Sequence, residues 1–309
     1  MAEATPMFRK MALIGIGLIG SSLARAVKRR GLAGEIAIAT RSRETLAKAK
    51  ALGLGDLYGV DPAVAVDGAD LVVLCTPVGA YRAIGKAIQQ YLGVGTILTD
   101  VGSVKGHVQS VLAPIVPSYV HFVPGHPLAG TEHSGPDAGF AELFENRWCI
   151  LTPMPTSSSA AVAKLAEFWK ALGSSVEIMD ARHHDLVLAI TSHVPHLIAY
   201  NIVGTADELE EVTKSEVIKY SASGFRDFTR IAASDPVMWR DVFLTNREAV
   251  LEMLGRFMED LTALQKMVRN GDGEGLEKLF TKTREVRRSI VEAGQDTAAP
   301  DFGRRGGKS

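Results

Sequence analysis

The sequence predicts an α/β N-terminal domain built on a parallel sheet, followed by an all-α C-terminal domain. Three observations predict it. Short apolar runs alternate with helix-period segments up to about Asp180. A glycine-rich turn, Gly15-Ile16-Gly17-Leu18-Ile19-Gly20, joins the first apolar run to the first helical pattern. Beyond Asp180 strand patterning stops, while apolar residues keep recurring at three- and four-residue intervals.

Residues 11–14 read as the first strand, and the helix after the glycine turn runs to Arg30, where Gly31 stops it. Residues 35–39 read as the second strand; Ser42 caps the next helix, which ends at Gly53. The unbroken run at 71–75 predicts a strand covered on both faces. Residues 80–92 read as a helix, and 96–100 and 120–123 as strands. Two more strands, 148–152 and 175–179, flank a helix at about 160–172. In the second half, 181–206, 235–269 and 273–293 read as helices. Val242, Leu251, Leu254, Phe257, Met258, Leu261 and Leu264 mark the apolar stripe of the longest. The domains are therefore placed at 6–180 and 181–297, with a Gly- and Arg-rich tail at 298–309. Such stripes exceed what a small bundle buries by itself, so a homodimer through the C-terminal helices is expected.

Composition narrows the function. Of 309 residues, 46% are hydrophobic and 22% charged, an ordinary globular balance. Lys and Arg number 34 against 35 Asp and Glu, so no basic face points to nucleic acid. Cys75 and Cys149 are too few for a disulfide framework or a cysteine-built metal site and fit a reducing cytoplasm. The first dozen residues hold no signal-like apolar block, and no segment reads as a membrane span of about 20 apolar residues.

In the glycine turn, Gly15 permits the tight bend, Gly17 lets backbone approach a pyrophosphate, and Gly20 packs the helix against the strand. The N–H groups of Leu18 and Ile19 then open the helix toward phosphates. That context predicts a Rossmann-type, dinucleotide-binding domain. At the end of the second strand an NAD site usually carries an acid, but here the residues are Thr40, Arg41, Ser42 and Arg43. Two arginines with flanking hydroxyls favour NADP+ within the NAD(P)+ class.

Three polar segments follow strands or enter the helical half. Asp100 to Lys105 contains Ser103; residues 125–132 set His126 between a glycine and a proline. On a loop such a histidine has no helix face to pack on, which favours acid/base work. His193 and His196 lie three residues apart on one helical face, and Pro195 predicts a kink there. No HExxH or nearby carboxylate accompanies them, so no metal is expected. Arg226, Arg230 and Arg240 stand among aromatics, which suits an anionic substrate with an apolar ring.

Together GIGLIGSSLA, CTPV, DVGSVK, GHPLAGTEHSG, TSHVPHLIAY and GFRDFTRIAASDPVMWRD resemble the prephenate/arogenate (cyclohexadienyl) dehydrogenase family of tyrosine biosynthesis, over about residues 8–295. The resemblance implies an all-α dimerisation domain and an NAD(P)-dependent oxidative decarboxylation giving 4-hydroxyphenylpyruvate or tyrosine. It implies His126 as the catalytic residue and Ser103 as the serine that orients it and touches the cofactor. Arg230 would hold a substrate carboxylate, and His196 and His193 would line the side-chain end. Thr131, Glu132, Asp227 and Trp239 would support the substrate, and Thr76 and Pro77 of CTPV would meet the cofactor. Some members carry a fused mutase or a regulatory domain; with few residues before the first strand and a short tail after the last helix, neither is expected here. A neutral His126 accepting the hydroxyl proton predicts activity that rises with pH through its pKa. Two other readings remain: a different two-domain NADP-dependent reductase or β-hydroxyacid dehydrogenase, and a non-catalytic dinucleotide sensor.

Overall fold

A computed structural model describes residues 5–208 and 222–292. Strands β1 (Phe8–Ile14), β2 (Ala33–Ala39), β3 (Leu57–Gly59), β4 (Leu71–Leu74), β5 (Ile97–Asp100) and β6 (His121–Phe122) form one parallel sheet, ordered β3-β2-β1-β4-β5-β6. Chain order reverses between β1 and β4, which opens a crevice at the carboxyl ends of those strands. β4 is buried along its whole length, as its apolar run requires of a strand covered on both faces. The edge strand β3 was not legible in the sequence: three residues are too short to show a period of two.

Helices cover both faces. α1 (Leu18–Arg30) buries Leu23, Ala24 and Val27 and ends at Gly31, where φ is 63°. α2 (Arg43–Ala51) begins at Ser42, whose Oγ accepts from the Thr45 N–H at 3.1 Å. Then come α3 (Pro62–Val66), α4 (Tyr81–Ile88), α5 (Lys105–Leu112) and α6 (Ser159–Ala171). One core packs Phe8, Leu13 and Leu23 against Leu165, Phe168 and Trp169; the other packs Val72 and Leu98 against Tyr81, Val108 and Leu112. A second sheet holds β7 (Gly125–Pro127) antiparallel to β8 (Trp148–Leu151), which runs parallel to β9 (Ser175–Ile178).

Strands end at Ile178 and helices follow: α7 (Ala181–Leu188), α8 (Val194–Asp207), α9 (Ser223–Thr229), α10 (Pro236–Thr245), α11 (Arg247–Asn270) and α12 (Gly273–Glu292). Pro195 cannot donate to the carbonyl of Thr191, and the chain absorbs the missing bond as a π-helical turn at Ala189–His193. The expected kink is that turn. The chain divides into two compact units, one to Met253 and one from Leu254. Compactness thus changes later than secondary structure does, because α7 packs on α5 and α10 on the 3-10 turn at Val78–Ala80. The run Ala181–Asp207 is long and apolar enough to cross a membrane by length and composition, although the sequence suggested no such segment. It nonetheless buries His184, Asp185 and His193 within the first unit. Ala293, the last residue of the final expected helix, and the expected tail 298–309 lie outside the described residues.

Candidate active site

The glycine turn has the shape a pyrophosphate needs. Gly15 adopts φ of 99°, and a Cβ there would stand 2.8 Å from the Cys75 carbonyl carbon. A Cβ on Gly20 would collide with the Gly15 carbonyl oxygen. Gly17 faces open space and no side chain caps the helix start, so the first N–H groups of α1, including Leu18 and Ile19, are free to donate. Beside the turn, Thr76 Oγ1 is buried without a partner among the described residues, and Pro77 is exposed next to it. A buried hydroxyl in want of an acceptor and an uncapped 13-residue helix fit a bound dinucleotide.

Past β2, Arg41 and Arg43 are exposed and neither has an ion-pair partner among the described residues. The nearest acid in sequence, Glu44, faces Lys48 at 3.3 Å. Ser42 Oγ accepts the cap of α2, which leaves its hydroxyl proton free to donate. Thr40 is half-buried, tied through its N–H to the Gly59 carbonyl at 3.2 Å.

The second cluster lies beyond β5. Asp100 and Lys105 are fully buried and joined at 2.5 Å. Lys105 Nζ also donates to the Gly125 carbonyl at 2.6 Å, and Asp100 Oδ1 accepts from the Gly125 N–H at 3.2 Å. The ion pair therefore clamps the residue preceding His126. His126 is buried on β7, not on a loop as the sequence suggested; a three-residue strand ending in proline shows no alternation to read. Its Nδ1 lies 2.8 Å from His184 Nε2, and its Nε2 meets no hydrogen-bond partner among the described residues. His184 Nδ1 lies 2.8 Å from Asp185 Oδ1. Asp185 also caps α5, accepting from the N–H groups of Lys105 at 2.7 Å and Gly106 at 2.8 Å.

Burial, reinforced by His184, Lys105 and His193, pushes His126 well below the ordinary histidine value. The ring is neutral at neutral pH. The rise of activity with pH is consequently expected in acid, with a flat profile expected near neutrality. Ser103 is half-buried at the turn before α5 and makes no hydrogen bond to His126; His184 occupies that place. His184 and Asp185 carried no sequence signal beyond a histidine and an acid in one helix.

The third cluster comes from the helices. His196 stacks on Trp239 with ring centroids 3.6 Å apart, and His193 meets the same indole edge-on at 6.1 Å. Asn246 Nδ2 donates to the Asp185 carbonyl at 2.9 Å and faces His193 Nδ1 at 3.0 Å, so the His193 proton sits on Nε2. That Nε2 and Trp239 Nε1 are both buried without a partner among the described residues. Burial lowers His193 to about 4. Arg230 donates through Nη1 to Glu132 at 2.9 Å. Thr131 is exposed and accepts from the His133 N–H at 3.2 Å, and Asp227 is half-buried on α9. Among the described residues no group of three His, Cys, Asp or Glu is placed to hold a metal ion.

Residues 23–178 match the family described as prephenate dehydrogenase, nucleotide-binding domain, and residues 180–282 match prephenate dehydrogenase, dimerization domain. The chain is 42% identical over 284 residues to a cyclohexadienyl dehydrogenase of Zymomonas mobilis, covering 92% of this chain and 97% of that one. It is similar to prephenate dehydrogenase from A. aeolicus, solved in complex with hydroxyphenyl propionate and NAD+, at 33% identity and a TM-score of 0.83, covering 94% of this chain and 100% of the other. Synechocystis arogenate dehydrogenase is 27% identical with a TM-score of 0.75, covering 91% and 99%.

Proposed function

The chain belongs to the prephenate dehydrogenase family, and from that premise we propose what each of its site residues does. It is an oxidoreductase that uses NAD(P)+ for oxidative decarboxylation in tyrosine biosynthesis. The unpartnered Nε2 on a buried, neutral ring carries the reading of His126 as base. It takes the proton of the ring hydroxyl while hydride leaves the same carbon. When bound, the nicotinamide supplies the hydride acceptor. The ring carboxylate departs as CO2, its bonding electrons complete the aromatic ring, and the ring oxygen takes the proton back, so the protein need only orient the substrate and hold one proton.

Arg230 has five N–H donors and spends one on Glu132, so a guanidinium edge remains for a substrate carboxylate. His193 Nε2 and Trp239 Nε1 donate to the side-chain end. Among the described residues, Glu132 is engaged by Arg230, Asp185 by His184 and α5, and Asp241 by Arg240. With these three engaged, none of them selects an amine over a keto group, so both prephenate and arogenate are accepted, in keeping with the broader name of the Z. mobilis relative. Unpaired Arg41 and Arg43, with no acid at the end of β2, favour NADP+.

The enzyme is a homodimer through its C-terminal helices. On α11, Leu251, Met258, Leu261 and Val268 are exposed at intervals of seven, three and seven residues, a seam that a second copy would cover. It works in the cytoplasm, where Cys75 and Cys149 stay free thiols.

The test is an assay of each substrate with each cofactor, together with His126→Asn. The variant is expected to lose kcat by about 10²–10⁴-fold with little change in KM. An unchanged kcat overturns the assignment of the base, and NAD+ turnover far above that with NADP+ overturns the cofactor preference.

A further inference from the structure

The Nδ1 nitrogen of His126 is held by another histidine, and that contact has a direction. Asp185 is an acceptor: its oxygens already take the N–H groups of Lys105 and Gly106 at the start of α5. Its remaining contact, Oδ1 to His184 Nδ1 at 2.8 Å, therefore places the His184 proton on Nδ1. A neutral His184 is then bare at Nε2 and can only accept. The partner at 2.8 Å, His126 Nδ1, must donate. His126 is left with a bare Nε2.

We propose that His184 and Asp185 are positioning residues that lock His126 in the Nδ1–H tautomer, so that its unprotonated Nε2 is presented to the substrate. This rests on the reading of His126 as the base. The chain is rigid along its length: His184 is fully buried, Asp185 is pinned through its carbonyl by Asn246, and the Asp100–Lys105 pair fixes Gly125 beside His126. The same line of bonds gives the proton gained at Nε2 a partner: as His126 becomes cationic, its Nδ1–H points along His184 toward a carboxylate.

Asp185→Asn reverses the register of this line of bonds. With its amide nitrogen in the place of Oδ1, asparagine turns a donor toward His184 and keeps an oxygen for the Gly106 N–H, while the bond from the Lys105 N–H is given up. The histidine must then carry its proton on Nε2 and donate to His126 Nδ1, which forces the His126 proton onto Nε2. The lost bond at the start of α5 is a cost in stability, and the exchange of tautomer is the readout that a capping role would not move.

The experiment uses the full chain labelled with ¹⁵N-histidine, with the His126 signals assigned by their loss in His126→Asn. Near neutral pH the wild-type ring is expected to show a protonated Nδ1 and a bare Nε2. Asp185→Asn is expected to exchange the two and to lower kcat by on the order of 100-fold or more, with substrate KM within about threefold. A wild-type His126 protonated on Nε2 overturns the proposal, as does a folded Asp185→Asn that keeps its kcat. Should Asp185→Asn not fold, His184→Leu removes the acceptor without touching the cap, and His184→Gln restores a carbonyl within reach of Nδ1. The proposal requires kcat in the Gln variant to exceed that in the Leu variant, and equal losses overturn it. If His126→Asn abolishes turnover while Asp185→Asn retains it, this inference alone falls; if His126→Asn retains turnover, the reading of the base falls.

Discussion

The glycine turn and the His126 corner both lie at the carboxyl ends of the parallel strands, yet one is left open and the other is closed. At the turn, Gly17 faces free space, and among the described residues Arg41 and Arg43 have no ion-pair partner and Thr76 Oγ1 has no acceptor. At the corner, Asp100, Lys105, His184 and His126 are buried, and all but one of the polar atoms discussed there meet another. The difference follows from what each end handles. Phosphates bring their own charge and need donors they can reach; a base must be neutral and held in one tautomer, which burial and a fixed partner supply.

That contrast predicts which end fails in acid. His126, His184 and His193 are all held below the ordinary histidine value, chiefly by burial. The unfolded chain therefore binds more protons than the folded one below about pH 6.5, and stability falls as pH drops toward the folded values. For His193, lowered to about 4, the loss is about 3 kcal/mol across that window. Urea midpoints at pH 7 and pH 4.5 check it. The midpoint should fall steeply for the wild type and less steeply for His193→Gln; equal slopes would mean that the ring is not buried neutral. The kcat profile should be flat through neutrality and decline only in acid.

The turn breaks by sterics instead. Gly20→Val places side-chain carbons on the Gly15 carbonyl, an overpacking worth about 1–3 kcal/mol. The expected readout is a weaker dinucleotide, by about tenfold or more in Kd, from titration of nicotinamide fluorescence. Acid sensitivity should be unchanged. A variant that binds the cofactor as the wild type does would remove the close approach as the reason for that glycine.

The two ends were also unequally legible. The turn is a local feature: strand, glycines and helix adjoin in sequence, so the geometry at Gly15 and Gly20 could be read directly. His126 was legible as a residue but not in its setting, since β7 owes its existence to pairing with β8, more than twenty residues on. The His184–Asp185 pair was invisible for the same reason, taken further: it matters only because α7 packs on α5, which sets Asp185 beside Lys105 across 80 positions. α5 itself went unread, its apolar face interrupted by Gly106, His107 and Ser110. Helix α8 was read correctly in type, while the π-turn that aims His193 and His196 at Trp239 came only with the backbone.

At the open end the charges themselves can be removed. Arg41→Ala with Arg43→Ala should lower kcat/KM for NADP+ by about tenfold or more, near the 1.5–3 kcal/mol of a charged hydrogen bond, and leave NAD+ within about twofold. Steady-state assays with both cofactors decide it. Equal losses would mean that neither arginine reads the added phosphate.

The smallest effect is expected where the two styles of construction meet, at Glu132 and Arg230. Their side chains are 28% and 50% exposed, so the ion pair contributes at most about 1 kcal/mol to stability. Its own backbone N–H, and then Arg230, hold the Glu132 carboxyl below the usual range, so it is charged at neutral pH. Glu132→Gln should leave the urea midpoint almost unmoved and release Arg230 toward the substrate. Prephenate, a dianion, should then bind slightly better, with KM lower by no more than about fivefold, because only one screened charge has been removed. Arogenate, whose amine offsets part of its charge, should gain less. If Glu132 were instead the partner of that amine, the variant would raise the KM for arogenate by tenfold or more while sparing prephenate, and the argument that no carboxylate selects between them would fail at that residue.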